Sequence, residues 1–267
     1  MNDIEIRAIF YDEDSRSKIR EPFIPLDNTL GDPNWYEFWP ILDFLIRNDL
    51  KDDVYYGFFS PKFTEKTGHT PEAVISKVRE NNSSEVFLFS PAWCHLAYFM
   101  NPWEQGEIWH KGITLETQTF LDYVNFDLKL NTLVTSRRTS VYSNYVVAKK
   151  TYWDKWKDLA IKFFFYANHP SGNLARLETS YGDRKVPMKV FIQERIASIV
   201  LSNNQFEVYV DNITSRITNI FEATHENKDN LILCDVIKDD IVRNGRSFGK
   251  EMAYSEARKN VRLSKIN

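Results

Sequence analysis

Apolar and polar positions change period several times along this chain, and each change marks an element. From Ile4 to Phe10, Ile4, Ile6 and Ala8 alternate with Glu5 and Arg7, then the chain stays apolar through Tyr11, as a strand entering a core does. A charged loop, Asp12 to Arg20, follows, and Pro22 to Pro33 is rich in Pro, Asp, Asn and Gly, which predicts a long irregular loop. Trp35, Phe38, Trp39, Leu42 and Leu45 then recur at helical spacing up to Arg47. Val54 to Ser60 (VYYGFFS) and Glu85 to Ser90 (EVFLFS) are β-prone runs closed by Pro61 and Pro91, and both read as buried strands. Between them, Thr70-Pro71-Glu72 predicts a helix start with Thr as N-cap and Pro at the first helical position, running to about Asn81. A third apolar run, Val141 to Ala148, leads into a helical face of Tyr152, Trp156, Leu159, Phe163 and Ala167. Met188 to Leu201 predicts a further helix.

Strands alternating with helices imply crossover connections. The expected fold is α/β: a mostly parallel central sheet flanked by helices, with a small C-terminal extension. The extension begins near Gln205, which divides the chain into residues 1–204 and an addition, 205–267, packed on them.

Charge narrows the function classes. With 34 Lys and Arg against 37 Asp and Glu, the chain shows no basic stripe of the kind nucleic acids need, so a nucleic-acid partner is not expected. No apolar run reaches the roughly 18 residues of a membrane span, no signal-peptide core follows the N-terminus, and Cys94 and Cys234 form no disulfide framework. A cytoplasmic location is the expectation. From Lys238 onward, Lys238, Arg243, Arg246, Lys250, Arg258, Lys259, Arg262 and Lys265 outnumber Asp239, Asp240, Glu251 and Glu256. That excess reads either as a peripheral contact with an anionic inner-membrane surface or as a solvated terminal helix.

Aromatics make up 15% of the residues while glycines number only 9: the scarcity of glycine does not suit a phosphate-cradling loop, and the aromatics read chiefly as core, with stacking platforms for sugar rings or bases as the alternative. Neither G-x-G-x-x-G nor a P-loop occurs, G-x-S-x-G is absent, and the histidines show no zinc spacing. Ser60 and Lys62, at the C-terminal end of a parallel strand with Lys66 behind them, suit a phosphate or sugar hydroxyl, or else form a Ser-Pro turn among solvated lysines. Trp109 beside His110 suits the apolar face and polar edge of a pyranose. Asn144, with Tyr145, interrupts an apolar run and is either a structural tie or a ligand contact. Glu194, with Val190, Ala197 and Leu201 around it, has the surroundings of a desolvated general base or of an ion pair with Arg195.

In order and spacing, from about residue 4 to residue 203, these segments resemble a bacterial family of GT-A-type glycosyltransferases of polysaccharide biosynthesis. That family has a strand ending Gly-x-x-His-Tyr-Arg-Arg, and here the stretch is Tyr56-Gly57-Phe58-Phe59-Ser60-Pro61-Lys62-Phe63. Its Asn-aromatic strand is similar to Tyr142-Ser143-Asn144-Tyr145, its Phe-Asp-x-Tyr-x-x-Trp-Leu helix to Tyr152-Trp153-Asp154-Lys155-Trp156, and its Glu-Arg-Leu helix to Glu194-Arg195-Ile196. The resemblance implies sugar transfer from a nucleotide-sugar donor to a saccharide or lipid-linked saccharide acceptor. Tyr11, Asp12, Phe59, Ser60, Lys62, Lys66 and Arg138 are then expected at the donor, Trp109, Asn144 and Tyr145 at the acceptor, and Glu194 and His110 as catalytic groups. Phe89-Ser90-Pro91-Ala92 stands where an Asp-x-Asp holds Mg²⁺ or Mn²⁺, and the local Asp-x-Asp is Asp12-Glu13-Asp14. No metal ligand is therefore assigned, with Mn²⁺ or Mg²⁺ kept as the alternative, and without a metal a diphosphate leaving group would fall to Lys62, Lys66, Arg137 and Arg138. The competing expectation is a non-catalytic saccharide-binding or assembly protein on the same scaffold.

Overall fold

The computed structural model describes residues 3–170, 172–211 and 220–264. Strand β1 (Asp3–Phe10) leads through the short helix α1 (Glu13–Ser17) to β2 (Ile24–Asp27) at the sheet edge. Helix α2 (Phe38–Arg47) returns to β3 (Val54–Phe59), and α3 (Phe63–Thr67) and α4 (Pro71–Glu80) lead to β4 (Val86–Leu88). Helices α5 (Trp93–Tyr98), α6 (Pro102–Trp109) and α7 (Ile113–Tyr123) precede β5 (Val146–Ala148) and the long α8 (Lys150–Ala167). A hairpin of β6 (Glu178–Tyr181) and β7 (Arg184–Pro187) is followed by α9 (Lys189–Gln193), α10 (Ile196–Asn203) and β8 (Val208–Val210). The pair α11 (His225–Asn244) and α12 (Phe248–Lys259) comes last.

Six strands form the central sheet in the order β2-β1-β3-β5-β4-β8, parallel except for β5, which runs antiparallel to both β3 and β4. The period-two pattern divides the core. Tyr56, Phe58, Leu88 and Val146 face α2, α8 and α10, while Ile6, Tyr55, Phe59, Phe87 and Val147 face α3 and α4. Gly57 is required by close approach: a Cβ there would lie 2.9 Å from Val147 and 3.2 Å from Ile6.

Several expectations change in detail. The loop expected over Pro22 to Pro33 contains β2, a short edge strand whose pairing with β1 places Asn28 beside Phe10. The third apolar run yields only Val146–Ala148 as strand, because Ser143 and Asn144 take left-handed φ of 67° and 53° and interrupt it. The helix expected from Met188 to Leu201 is two helices jointed at Glu194 and Arg195. Thr70 caps α4 as its sequence suggests, accepting a hydrogen bond from the Ala73 amide. Beyond residue 204, β8 completes the sheet by pairing with β4.

The basic residues near the C-terminus are engaged. Lys238 is buried, donating to the carbonyls of Leu96 and Phe99, so it offers no surface charge. Arg243 pairs with Asp239, Arg246 with Glu251, Lys250 with Asp240, Arg258 with Glu104, Lys259 with Glu256 and Arg262 with Glu226. Lys265 lies outside the described residues. Among the described residues, no helix is long and apolar enough to cross a membrane.

Candidate functional site

Because β5 runs antiparallel, its N-terminal end meets the C-terminal ends of β1, β3 and β4 at one edge. There β1 leads outward to β2 while β3 leads the other way toward β4. Such divergence opens a crevice beyond the strand ends, where open α/β sheets bind ligands. Tyr11, Ser60, Asn144 and Tyr145 stand at that edge. The Tyr145 hydroxyl is 2.9 Å from Ser60 Oγ, and its ring packs edge-on against Phe63 with centroids 4.9 Å apart. Lys66 Nζ donates to Ser143 Oγ at 3.2 Å and lies 6.0 Å from the centre of the Tyr145 ring.

Two features of this edge carry a cost in stability. Consecutive left-handed residues are strained, more so at Ser143 than at Asn144, whose amide tolerates that region better. In addition, Asn144 Oδ1 and the Tyr11 hydroxyl are both buried without a well-formed hydrogen bond. An unsatisfied buried polar group typically costs about 1–3 kcal/mol. Tyr11 lies beside Glu37, and burial, then that carboxylate, drives its pKa well above the ordinary tyrosine range.

Glu194 occupies the joint between α9 and α10. Every residue from Met188 to Leu201 is buried except Glu194, which opens to solvent. Protein nevertheless surrounds it densely, which is the signature of a group in a cleft. Burial pushes its pKa up to about 7; Glu37 pushes the same way, while Arg195 and Lys66 oppose. Glu194 also contributes to raising the pKa of Tyr145, after burial and Glu37, so the joint and the β5 edge face one electrostatic environment. Arg195 is held by three bonds: Nε to Pro102 O at 3.0 Å, one Nη to Phe191 O at 2.6 Å and the other to Gln105 Oε1 at 3.0 Å. The guanidinium therefore ties the joint to the start of α6.

The remaining expected residues are placed as follows. Trp109 is half-buried and stacks on His95 with centroids 6.2 Å apart; His95 in turn meets Tyr142 edge-on at 5.9 Å. Tyr142 is within electrostatic reach of Arg195. His110 lies beneath Phe191, 3.5 Å between centroids, with Nδ1 3.3 Å from Thr179 Oγ1. Burial, then Arg195, lowers its pKa to about 4, so the ring is a neutral packing element at physiological pH. Phe59 is core, stacked on Phe63 at 4.0 Å. Lys62 is exposed at the start of α3. Arg138 donates to Val208 O at 2.8 Å and lies 3.7 Å from Asp239, and Arg137 lies 3.5 Å from Asp235; these contacts tie them to β8 and α11.

At the places the resemblance indicates for a divalent cation, the side chains present make other contacts. The Asp12 carboxylate caps α1, accepting from Ser15 N at 2.7 Å and Ser15 Oγ at 2.6 Å, and Asp14 pairs with Lys18. After β4, Ser90 Oγ accepts the Tyr142 amide at 3.1 Å and Phe89 is core. Among the described residues, no group of three or more His, Cys, Asp or Glu could hold a metal ion.

Sequence reading gave Tyr142 no role of its own and missed Glu37 and a cluster in which Asp211 lies 2.6 Å from both His69 Nε2 and Lys77 Nζ, tying the end of β8 to α4. Glu37 had one visible signal, a single carboxylate within the aromatic run Trp35-Tyr36-Glu37-Phe38-Trp39. The His69–Asp211 contact joins positions far apart in sequence and had none. Comparison with protein-family models, curated proteins and solved structures gives no match.

Proposed function

We propose that the protein is a glycosyltransferase that moves a sugar from a nucleotide-sugar donor to a saccharide acceptor, in cell-surface polysaccharide biosynthesis. The reading rests on Glu194: a water-accessible carboxylate in an otherwise buried segment, its pKa pushed up to about 7 by burial, within electrostatic reach of Lys66 and Tyr145 at the end of the sheet where open α/β folds bind ligands. Such a group is poised to take a proton near neutral pH. In the proposed step the acceptor oxygen bonds to the anomeric carbon as the bond from that carbon to the nucleotide phosphate breaks, and the acceptor proton passes to Glu194. Lys66 supplies positive charge toward the departing phosphate, while Asn144 Oδ1, buried without a hydrogen bond, and the Tyr11 hydroxyl, beside Glu37, accept hydrogen bonds from the sugars.

The test is incubation with a panel of nucleotide sugars and saccharide acceptors, with release of nucleotide as the readout, for the wild type and Glu194→Gln. The variant keeps the shape and removes the charge; donor binding should persist while turnover falls by roughly 10²-fold or more. Unchanged turnover removes Glu194 from the mechanism. Failure of every donor to bind or react overturns the transferase reading and leaves saccharide binding without catalysis as the function to examine.

A further inference from the structure

Away from the cleft, α2 and the loop after β2 enclose an open groove of about 400 Å³. One wall is a stripe of α2 in which Trp39, Asp43 and Arg47 recur every four residues and so stand in line on one side of the helix. Arg47 Nε donates to Asp43 Oδ1 at 2.8 Å, an exposed pair that uses only one nitrogen and one oxygen. The opposite wall runs from Leu26 to Gly31. In it Asp27 Oδ1 accepts the Thr29 amide at 2.8 Å, and Asn28 Nδ2 donates to Tyr36 O at 3.2 Å. A Cβ on Gly31 would fall 1.9 Å from Asn28 Oδ1, so any other residue there would displace the Asn28 side chain.

We propose that this groove is a second saccharide-binding site, separate from the cleft, which holds a neutral part of an extended acceptor. Its volume is within the range of small-molecule sites, about 300–1,000 Å³. Its chemistry selects the ligand class. Asp27 and Asp43 against Arg47 leave no positive excess, which disfavours phosphates, nucleotides and polyanions. An indole edged by carboxylate, guanidinium and the Asn48 amide matches a pyranose, which offers an apolar C–H face and a rim of hydroxyls. The Asn28–Tyr36 bond joins the groove's loop to the residue preceding Glu37, which adjoins Tyr11, and this connection relates the groove to the cleft. The assignment to an acceptor rests on the transferase reading; saccharide binding in the groove does not.

The experiment is saturation-transfer NMR on the full chain with maltohexaose, cellohexaose and mannohexaose, comparing wild type, Trp39→Ala and Asp43→Asn. Saturation should reach the ring protons of at least one hexasaccharide. Affinity should fall about tenfold in Trp39→Ala, the scale of one lost stacking contact, and fall also in Asp43→Asn, which preserves the packing of Trp39 on Phe164, ring centroids 5.5 Å apart. Absence of transfer to all three sugars, or equal transfer in wild type and both groove variants, would each overturn the proposal. Donor turnover is read separately, so an inactive cleft with a binding groove refutes the transferase and not the groove.

Discussion

Replacing Arg195 with methionine tests whether its guanidinium builds the joint that presents Glu194. The wild-type side chain makes three charge-assisted hydrogen bonds, to Pro102 O, Phe191 O and Gln105 Oε1, from a residue only 6% exposed. At about 1.5–3 kcal/mol each, their loss sets an upper bound of roughly 5–9 kcal/mol. Relief of the cost of burying a charge offsets several kcal/mol of that. A net loss of about 3 kcal/mol is expected, which corresponds to a fall in Tm of roughly 6–12 °C for a domain of this size. The charge has a second effect: Arg195 holds the Glu194 pKa down, so in Arg195→Met that pKa should rise above about 7 and the acid limb of the activity profile should move to higher pH. Arg195→Lys keeps the charge and loses the planar fork, so it should restore the pH limb more fully than the stability. Thermal denaturation and pH-rate profiles of both variants provide the measurements. A loss under about 1 kcal/mol in Arg195→Met, or an unmoved acid limb, would refute the idea that this guanidinium organises the site.

Other expectations follow from the same geometry. Folding raises the Glu194 pKa above its unfolded value, so the stability this group contributes is full at pH below about 4.5 and is lost as pH rises through about 7; Glu194→Gln should flatten that decline in denaturant melts, and an unchanged slope would contradict it. Asn144→Gly relieves the left-handed strain while deleting the amide, so it should fold at least as stably as the wild type and bind nucleotide sugar more weakly in titration calorimetry, whereas a purely structural Asn would lose stability. Gly57→Ala forces a methyl against Val147 and Ile6 and should cost about 1–3 kcal/mol in chemical denaturation; a neutral result would mean that β3 and β5 can separate at that point.

What could be read in the sequence divides along a physical line. Strands β1, β3 and β4 and helices α4 and α8 were legible because each carries its own periodicity or cap, which is local information. Strand β2 was not: Ile24-Pro25-Leu26-Asp27 has a proline without a donor and sits at an edge, so it needs little of the alternation that marks a central strand. Nor was the direction of β5, since three apolar residues fit either sense and the neighbouring strands decide it. The site shows the same division. Apolar surroundings for Glu194 were visible at helical spacing, but the helix was expected to be continuous, because neither glycine nor proline marks a break. The joint explains how this glutamate meets two opposed requirements. Within an unbroken buried helix, a carboxylate pointing at its apolar neighbours would be protonated or excluded, and one pointing to bulk water would keep an ordinary pKa. At the break, between Gln193 and an Arg195 anchored to α6, Glu194 is the one exposed residue of a buried segment. Glu194 thereby keeps access to water and a raised pKa together, the combination a general base at neutral pH requires.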